Sequence, residues 1–363
     1  MTDPRDRFDR IRAALSAADR DLVAALEARA RAVRDLVALR AESPGAYLRL
    51  PTADEVLAEV RAHRREQGAR AMPEEAIEPI FREVLGACAT LASPLRIAIP
   101  GPDRSLALVV AREMFGSLAE IVASSQVTDA LLAVERQEAS AAVIPLETTS
   151  DGAISASLFA LAHGAGRIVA ERTISNAYHL YSRTGNASDV EKIYATPVAL
   201  AACAGTIERE LPHATVMEVR SATVAAQLAL GDHGSAAIAT SGEEAEGLRT
   251  VRSHIEADAT LKTRFVVVGR EAPKRTGADR TFLALLLSEE PGSLYSALAP
   301  FAERGINLTR LESRQAPGAS LEQMFFVELD GHVSDRAVLT ALDEVRMKSR
   351  HLKVLGSYPR PSR

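Results

Sequence analysis

Three arginines recur along the first forty residues at positions that share one face of a helix. Steps of three and four residues from Arg12 return to Arg29 and to Arg40. The same face also carries Leu15, Asp19, Leu22, Leu26, Val33 and Leu36. Burial of a guanidinium in such an apolar seam is unfavourable unless an anion neutralises it, and arginine binds carboxylates bidentately. The spacing leaves two interpretations open: a carboxylate-binding seam, or arginines that extend past the seam or pair with acids.

A second candidate anion site lies in the middle of the chain. The apolar run 141–146 leads into four polar residues, Glu147, Thr148, Thr149 and Ser150. Helical periodicity resumes near Ile154. Hydroxyl groups between the end of a strand and the start of a helix suit a carboxylate ligand, because the first N–H groups of a helix are free. A further hydroxyl, Ser105, follows the Gly101-Pro turn.

The triplet Thr263-Arg264-Phe265 opens a run of valines that predicts a strand. Its threonine offers a hydroxyl, which is a weak acid unless a dry and preorganised cleft surrounds it. Taken alone, such a triplet at the start of a strand is usually structural.

Two C-terminal segments carry groups that can bind a charged ligand. Gly292, Ser293 and Leu294 follow Pro291 at the start of a predicted helix, where backbone N–H groups can bind a carboxylate. Glu312, Ser313 and Arg314 end a predicted strand and offer an acidic, a hydroxyl and a basic group. The alternative is a dimerisation module without a ligand.

Bulk composition excludes several classes of protein. The net charge of -5 argues against a nucleic-acid-binding protein with a basic face. No apolar run approaches the roughly 18 residues that span a bilayer, and the N-terminus lacks the apolar segment of a secretory signal. The two cysteines form no metal-binding spacing, so we expect a cytoplasmic protein without a metal or another cofactor.

Three regions must position these residues. Residues 1–93 predict a helical domain of three helices, the first from about Asp6 to Arg40. Residues 94–271 alternate short β-branched runs with helical patterns, which predicts an α/β domain of two lobes with mostly parallel strands. Residues 280–363 predict the order β-α-β-β-α-β of a ferredoxin-like α+β domain. The first helix is too long to cover its own apolar stripe, so we expect a homodimer or a larger homo-oligomer.

All three regions resemble the bifunctional chorismate mutase–prephenate dehydratase family. The segments Ile11-Arg12 to Arg40 and Phe81 to Cys88 resemble helices of a chorismate mutase. The segment from Ala141 to Ile154 and the Thr263-Arg264-Phe265 triplet resemble prephenate dehydratase motifs. The Pro291 to Leu294 and Leu308 to Arg314 segments resemble the phenylalanine-binding signatures of an ACT domain.

The resemblance implies an enzyme of phenylalanine biosynthesis that converts prephenate to phenylpyruvate and is inhibited by phenylalanine. It implies that Thr263 donates to the departing hydroxide, that Arg264 helps to hold a carboxylate, and that Phe265 and Glu147 belong to the same site. It assigns Thr148, Thr149, Ser150 and Ser105 to the dehydratase cleft. It further implies that Arg12, Arg29 and Arg40 bind chorismate across a dimer.

Several family positions differ, and they keep alternatives open. Thr148 replaces an asparagine, Thr52 and Ala53 stand where the family has an Arg-Glu pair, and Ala92 replaces a polar residue of the third helix. Chorismate mutase activity is therefore left open beside a retained dimerisation domain. The dehydratase alternatives are a changed reaction on a related acid and a catalytically silent, phenylalanine-binding regulator.

Overall fold

The structure is a computed structural model that describes residues 4–42, 53–68, 71–92, 94–101, 105–149, 152–240, 247–257, 261–315 and 323–361. The chain divides into two compact units, residues 1–95 with 112–120, and residues 96–111 with 121–363. Among the described residues, no helix is both long enough and apolar enough to cross a membrane.

The first unit is built on three helices, as the periodicity predicts. They are α1 Pro4–Glu42, α2 Ala53–Glu66 and α3 Glu74–Ala92. Both α1 and α2 pack on α3, and the buried side chains include Val33, Leu57 and Cys88. Most of the apolar stripe of α1 lies outside this small core, since Phe8, Leu15 and Leu22 are each about 60% exposed.

The remaining helices and strands alternate along the chain. The helices are α4 Leu106–Phe115, α5 Val127–Glu135, α6 Ser155–His163, α7 Pro197–Glu210, α8 Ala222–Gly231, α9 Ser293–Glu303 and α10 Arg336–Lys348. The strands are β1 Arg96–Pro100, β2 Glu120–Ser124, β3 Ala141–Thr148, β4 Gly152–Ala153, β5 Arg167–Ser175, β6 Tyr178–Ser182, β7 Lys192–Ala195, β8 Thr215–Glu218, β9 Ser235–Thr240, β10 Arg249–Ser253, β11 Lys262–Gly269, β12 Asp279–Leu286, β13 Leu308–Gln315, β14 Gln323–Asp330 and β15 His351–Pro359. Residues 279–359 follow the predicted β-α-β-β-α-β order.

The strands form two sheets. One contains ten strands in the order β13-β14-β12-β15-β5-β11-β3-β1-β2, with β4 paired to β3, and the other has the order β10-β6-β9-β7-β8. The prediction of mostly parallel strands holds in part, since β1 pairs with β3 in parallel and β7 pairs with β8 and β9 in parallel, but β11 runs antiparallel to both β3 and β5. The chain leaves the large sheet after β5, builds the smaller sheet, and returns through β11, which therefore enters in the opposite direction.

The C-terminal strands continue the large sheet and share its core. Strand β15 pairs with β5 in parallel at Gly356 and Ile168. A Cβ at Gly356 would overlap the carbonyl oxygen of Ile168, so only glycine permits this close approach. Phe326 of β14 packs edge to face on Phe159 of α6, with ring centroids 6.0 Å apart. Dehydratase-like strands and C-terminal strands thus bury one continuous apolar cluster.

Candidate active site

Thr263 lies where the chain passes between the two sheets. Its side chain is 4% exposed, and its Oγ1 donates a hydrogen bond of 2.9 Å to Asn176 Oδ1. Asn176 directly follows β5, where the chain leaves the large sheet. Its backbone N–H donates to the carbonyl of Leu261, which directly precedes β11, where the chain returns. In the strand register Thr263 stands directly opposite Thr148. The side chains of Thr263, Thr148 and Asn176, two hydroxyls and an amide, therefore lie where the chain crosses between the two sheets.

The polar segment after the apolar run of β3 turns back as a hairpin against β4. Glu147 pairs with Ala153, and Thr148 pairs with Gly152. Thr149 Oγ1 accepts a bond of 2.9 Å from the backbone N–H of Lys262, which fixes the segment beside Thr263. Ser150 lies outside the described residues. The structure thus places Thr148 and Thr149 at the start of β11.

Ser105 begins α4, and its carbonyl accepts the backbone N–H groups of Leu108 and Val109. Its hydroxyl also accepts from the N–H of Leu108 at 3.4 Å. Strands β1 and β3 are parallel, so α4 begins at the carboxyl edge of the sheet where β3 also ends. Ligands of α/β sheets commonly bind at this edge.

Arg264 points away from Thr263, as alternation along a strand requires, and its side chain is 9% exposed. All five of its N–H groups donate to protein acceptors. The Nε donates to Glu171 at 2.5 Å, one terminal nitrogen donates to Glu147 at 3.2 Å and Glu328 at 3.1 Å, and the other donates to Glu328 and to Tyr358 at 3.1 Å. Whether Arg264 binds a substrate carboxylate stays a prediction, since each donor is occupied here. Phe265 is 3% exposed and lies on the Thr263 side of the strand.

The pKa values of the two buried acids beside Arg264 are shifted in opposite directions. Burial raises the pKa of Glu328, but the hydrogen bonds and charge of Arg264 outweigh that effect and hold it below its ordinary value. Burial raises the pKa of Glu171 above its ordinary value although Arg264 and Arg280 oppose the shift. Burial also disfavours the charged form of Arg264, yet Glu328 outweighs it and raises the pKa of the guanidinium. The cluster therefore keeps an Arg264–Glu328 ion pair in a dry environment.

Glu147 connects the dehydratase-like hairpin to the C-terminal strands. One carboxylate oxygen accepts from Arg264 at 3.2 Å, and the other forms an ion pair with Arg310 of β13. Its side chain is 23% exposed. Glu147 thus lies in an ion-pair network rather than beside the Thr263 hydroxyl.

The predicted effector residues fall at one edge of the C-terminal sheet. Leu286, at the end of β12, stands opposite Met324, which in turn stands opposite Arg314 at the end of β13. Gly292 precedes α9 with φ at +83°, a left-handed conformation that favours glycine. Ser293 and Leu294 then begin the helix, and Leu294 packs on the C-terminal core. Glu312, Ser313 and Arg314 occupy the end of β13, where Glu312 and Arg314 pair at 2.9 Å.

The predicted mutase arginines all lie on α1. Arg12 is exposed, whereas Arg29 is half-buried, and its Nε is buried without a hydrogen-bond partner among the described residues. The side chain of Arg40 lies outside the description. Seventeen residues separate Arg12 from Arg29, about 25 Å along a helix, so one chain alone does not bring them to a single small ligand.

Sequence reasoning assigned no role to Asn176, Glu328 or Tyr358, and it placed Arg310 in a family segment without a role of its own. Each is far in sequence from its partner, and no local spacing connects residue 176 to 263 or 328 to 264. A polar residue directly after β5 was a weak signal for Asn176. Among the described residues, no three His, Cys, Asp or Glu side chains are placed to hold a metal ion. Cys203 is buried, and this burial raises the pKa of its thiol to about 12.

Comparison with known proteins places each region in a family. Residues 11–92 match the chorismate mutase type II model, residues 97–273 the prephenate dehydratase model, and residues 281–346 the ACT domain model. The chain is 35% identical to the bifunctional chorismate mutase/prephenate dehydratase of Aquifex aeolicus over 79% of this chain and 80% of that protein. It is 26% identical to the protein of the same name from Stutzerimonas stutzeri over 98% of both chains.

A solved structure agrees with these matches. The prephenate dehydratase of Arthrobacter aurescens in complex with L-Phe superposes with a TM-score of 0.67 and 32% identity, over 73% of this chain and 90% of that one. The predicted fold classes and their order are confirmed. The chain belongs to the bifunctional chorismate mutase/prephenate dehydratase family.

Proposed function

We propose that this chain converts prephenate to phenylpyruvate and that Thr263 assists the departure of the hydroxyl group. The observation that carries the proposal is the Thr263 hydroxyl, buried and held by Asn176 beside Thr148. In the reaction the ring C–O bond breaks with its electron pair on oxygen. The bond to the ring carboxylate breaks at the same carbocycle and leaves its pair in the new aromatic ring, so carbon dioxide departs. A proton or hydrogen bond from Thr263 turns the hydroxyl into a better leaving group.

The surroundings of Thr263 favour this role. Its burial keeps water from the hydroxyl, and the Asn176 amide fixes the side chain before substrate arrives. Rotation about the Cβ–Oγ bond redirects the hydrogen to a ligand without moving the backbone. Thr149 and Ser105, at the hairpin and at the start of α4, are proposed to bind substrate oxygens. Ser150 is proposed from the sequence alone.

The test compares Thr263→Val with Thr263→Ser in the full chain. Valine keeps the shape but removes the hydroxyl, and we expect turnover of prephenate to fall by roughly 100-fold or more, the scale of general-acid assistance. Serine keeps the hydroxyl and should retain most of the activity. Full turnover by the valine variant would refute the assigned role.

Chorismate mutase activity is a second candidate, favoured by the buried Nε of Arg29, which has no hydrogen-bond partner in the described part of the chain. A chorismate carboxylate would satisfy this buried donor. Since Arg12 lies about 25 Å along the same helix, we propose that a second copy of the chain supplies it. The exposed apolar residues of α1 support such a homodimer. Light scattering of the purified chain and assay with chorismate test this proposal, and a monomer would contradict it.

We further propose that L-phenylalanine binds the ACT domain and inhibits the dehydratase. The left-handed Gly292 turn and the Glu312–Arg314 pair lie at the same edge of the sheet and offer groups for the carboxylate and ammonium of an amino acid. Calorimetric titration with phenylalanine checks binding. The two buried free cysteines are consistent with the predicted cytoplasmic location.

A further inference from the structure

A chain of alternating charges joins the effector motif to the dehydratase site. Arg314 pairs with Glu312 at 2.9 Å, and Glu312 accepts from Arg310 at 3.1 Å. Arg310 pairs with Glu147, and Glu147 pairs with Arg264 at 3.2 Å. Arg264 is the direct sequence neighbour of Thr263. Five side chains therefore cover the path from the end of β13 to the start of β11.

Arg310 of β13 pairs with an acid of the dehydratase-like region, Glu147, and with an acid of its own strand, Glu312. Arg310, Glu312 and Arg314 occupy alternate positions of β13, so they share the inner face of the strand, while the intervening residues are exposed. The side chain of Arg310 is 15% exposed, which places its ion pairs in a partly dry environment where charges interact strongly. Its Nε is buried without a hydrogen-bond partner among the described residues.

Arg310 shares each of its two acidic partners with a second arginine. Glu147 pairs with Arg264 through one carboxylate oxygen and with Arg310 through the other. Loss of either arginine leaves one of these oxygens without its basic partner. Glu312 likewise has two basic partners, Arg310 and Arg314. An amino acid whose ammonium binds Glu312, or whose carboxylate binds Arg314, would compete with these ion pairs. The strength of the Arg310–Glu312 pair relative to the Arg310–Glu147 pair would then change. The same β13 face also reaches α6 directly, since Arg314 Nε donates to Ser155 Oγ at 3.2 Å.

We propose that Arg310 is a positioning residue of the dehydratase site, which holds Glu147 and couples it to the occupancy of the effector motif. The proposal rests on the proposed dehydratase function and deepens it by naming the residue that carries regulation. Arg310 acts through Glu147 and Arg264, and it does not touch the reacting atoms.

The experiment uses the full chain with Arg310→Met, Arg310→Lys and a matched control, Arg304→Met. Arg304 is a half-buried arginine of the same domain whose side chain pairs with Glu344, Glu303 and the carbonyl of Pro300, all of which belong to the C-terminal helices. Three quantities are measured in each protein: kcat and KM for prephenate, the concentration of phenylalanine that halves the rate, and phenylalanine affinity by calorimetry. Hydrogen exchange of residues 141–149 and 152–163 is followed with and without phenylalanine.

We expect Arg310→Met to lower kcat by roughly 10-fold, the scale of one hydrogen bond between charged groups, with KM little changed. Phenylalanine should still bind, but the inhibitory concentration should rise at least about fivefold, and the phenylalanine-dependent change in hydrogen exchange at 141–149 should disappear. Arg310→Lys keeps a charge for Glu147 but lacks the fork that reaches Glu312 at the same time. It should restore kcat without restoring inhibition, and Arg304→Met should behave as the wild type.

Wild-type inhibition and hydrogen exchange in Arg310→Met would overturn the proposal, as would equal losses in Arg304→Met. A lysine variant as slow as the methionine variant would also overturn it, because a packing role and not the charge would then explain the loss. If the wild-type chain turns over prephenate but does not respond to phenylalanine, the coupling is refuted while the proposed dehydratase stands. If the wild-type chain is inactive, the dehydratase proposal fails, and the exchange measurement still decides whether Arg310 connects the two sites.

Discussion

Arg264 and Arg29 both belong to family motifs, yet their surroundings are opposite. Arg264 sits on a central strand and donates five hydrogen bonds to Glu171, Glu147, Glu328 and Tyr358. Arg29 sits on a long helix, and its buried Nε has no hydrogen-bond partner among the described residues. The first guanidinium is fully satisfied by the protein itself, whereas the second has a donor left for a ligand or another chain.

This contrast teaches that a motif arginine acquires its role from its partners. The pairing of Arg264 with Glu328 and Tyr358 of the ACT strands binds two family domains into one sheet and one core. The α1 seam offers the reverse case, since its apolar and basic side chains are mostly exposed within one chain. Arg264 thus braces two domains of one chain, whereas the buried Nε of Arg29 has no hydrogen-bond partner among the described residues.

The largest effect is expected from Arg264→Met. It leaves the buried Glu328 and Glu171 carboxylates without their main counter-charge, which should lower the free energy of local unfolding at β11 by about 3–5 kcal/mol. Native-state hydrogen exchange of residues 262–269 measures this value directly. Protection equal to that of the wild type would show that Glu328 and Glu171 are satisfied without Arg264. The contrast between Arg264 and Arg29 would then not hold.

A smaller effect is expected from Gly356→Ala, which tests whether the close approach of the β15 and β5 backbones stabilises the protein in addition to the Arg264 ion pairs. The new Cβ would overlap the carbonyl of Ile168 and push β15 from β5, at a cost of about 1–3 kcal/mol. Gly205→Ala is the matched control, because a Cβ there meets nothing within 4 Å and Gly205 lies inside α7. The control should be neutral or stabilising by up to about 1 kcal/mol. Thermal unfolding midpoints compare the two, and similar shifts would contradict a tight junction at Gly356.

The smallest effect on stability is expected from Arg29→Met. Removal of a buried donor without a partner should change the free energy of unfolding of the helical unit by less than about 1 kcal/mol. If the unit rearranges chorismate, the same change should lower that turnover at least about tenfold, because a carboxylate ligand is lost. Denaturation followed by helical circular dichroism gives the first quantity, and a chorismate assay gives the second. A loss of stability as large as that of Arg264→Met would show that Arg29 has a structural partner.

Local patterns were sufficient for several parts of the molecule. The 3.6-residue period predicted three N-terminal helices, and the first was expected from Asp6 to Arg40 against Pro4–Glu42 in the structure. The valine run after Thr263 predicted β11, and polar turns separated the β-α-β-β-α-β elements of the C-terminal domain. In each case the signal lies within ten to forty consecutive residues.

Long-range pairing was not visible in the sequence. The strand β15 runs from His351 to Pro359 because it pairs with β12 along its whole length, and Gly356 also meets Ile168 of another domain. The direction of β11 depends on the return of the chain from the smaller sheet, which no local pattern encodes. For the same reason, Glu328 and Tyr358 looked like ordinary strand residues until the fold placed them on Arg264.

The most direct test of the account is an NMR time course with the purified wild-type chain and prephenate, repeated with phenylalanine and, separately, with chorismate. We expect the ring signals of prephenate to be replaced by those of phenylpyruvate, and we expect phenylalanine to slow the conversion. Prephenate returned unchanged, or converted to a different acid, would contradict the proposed function.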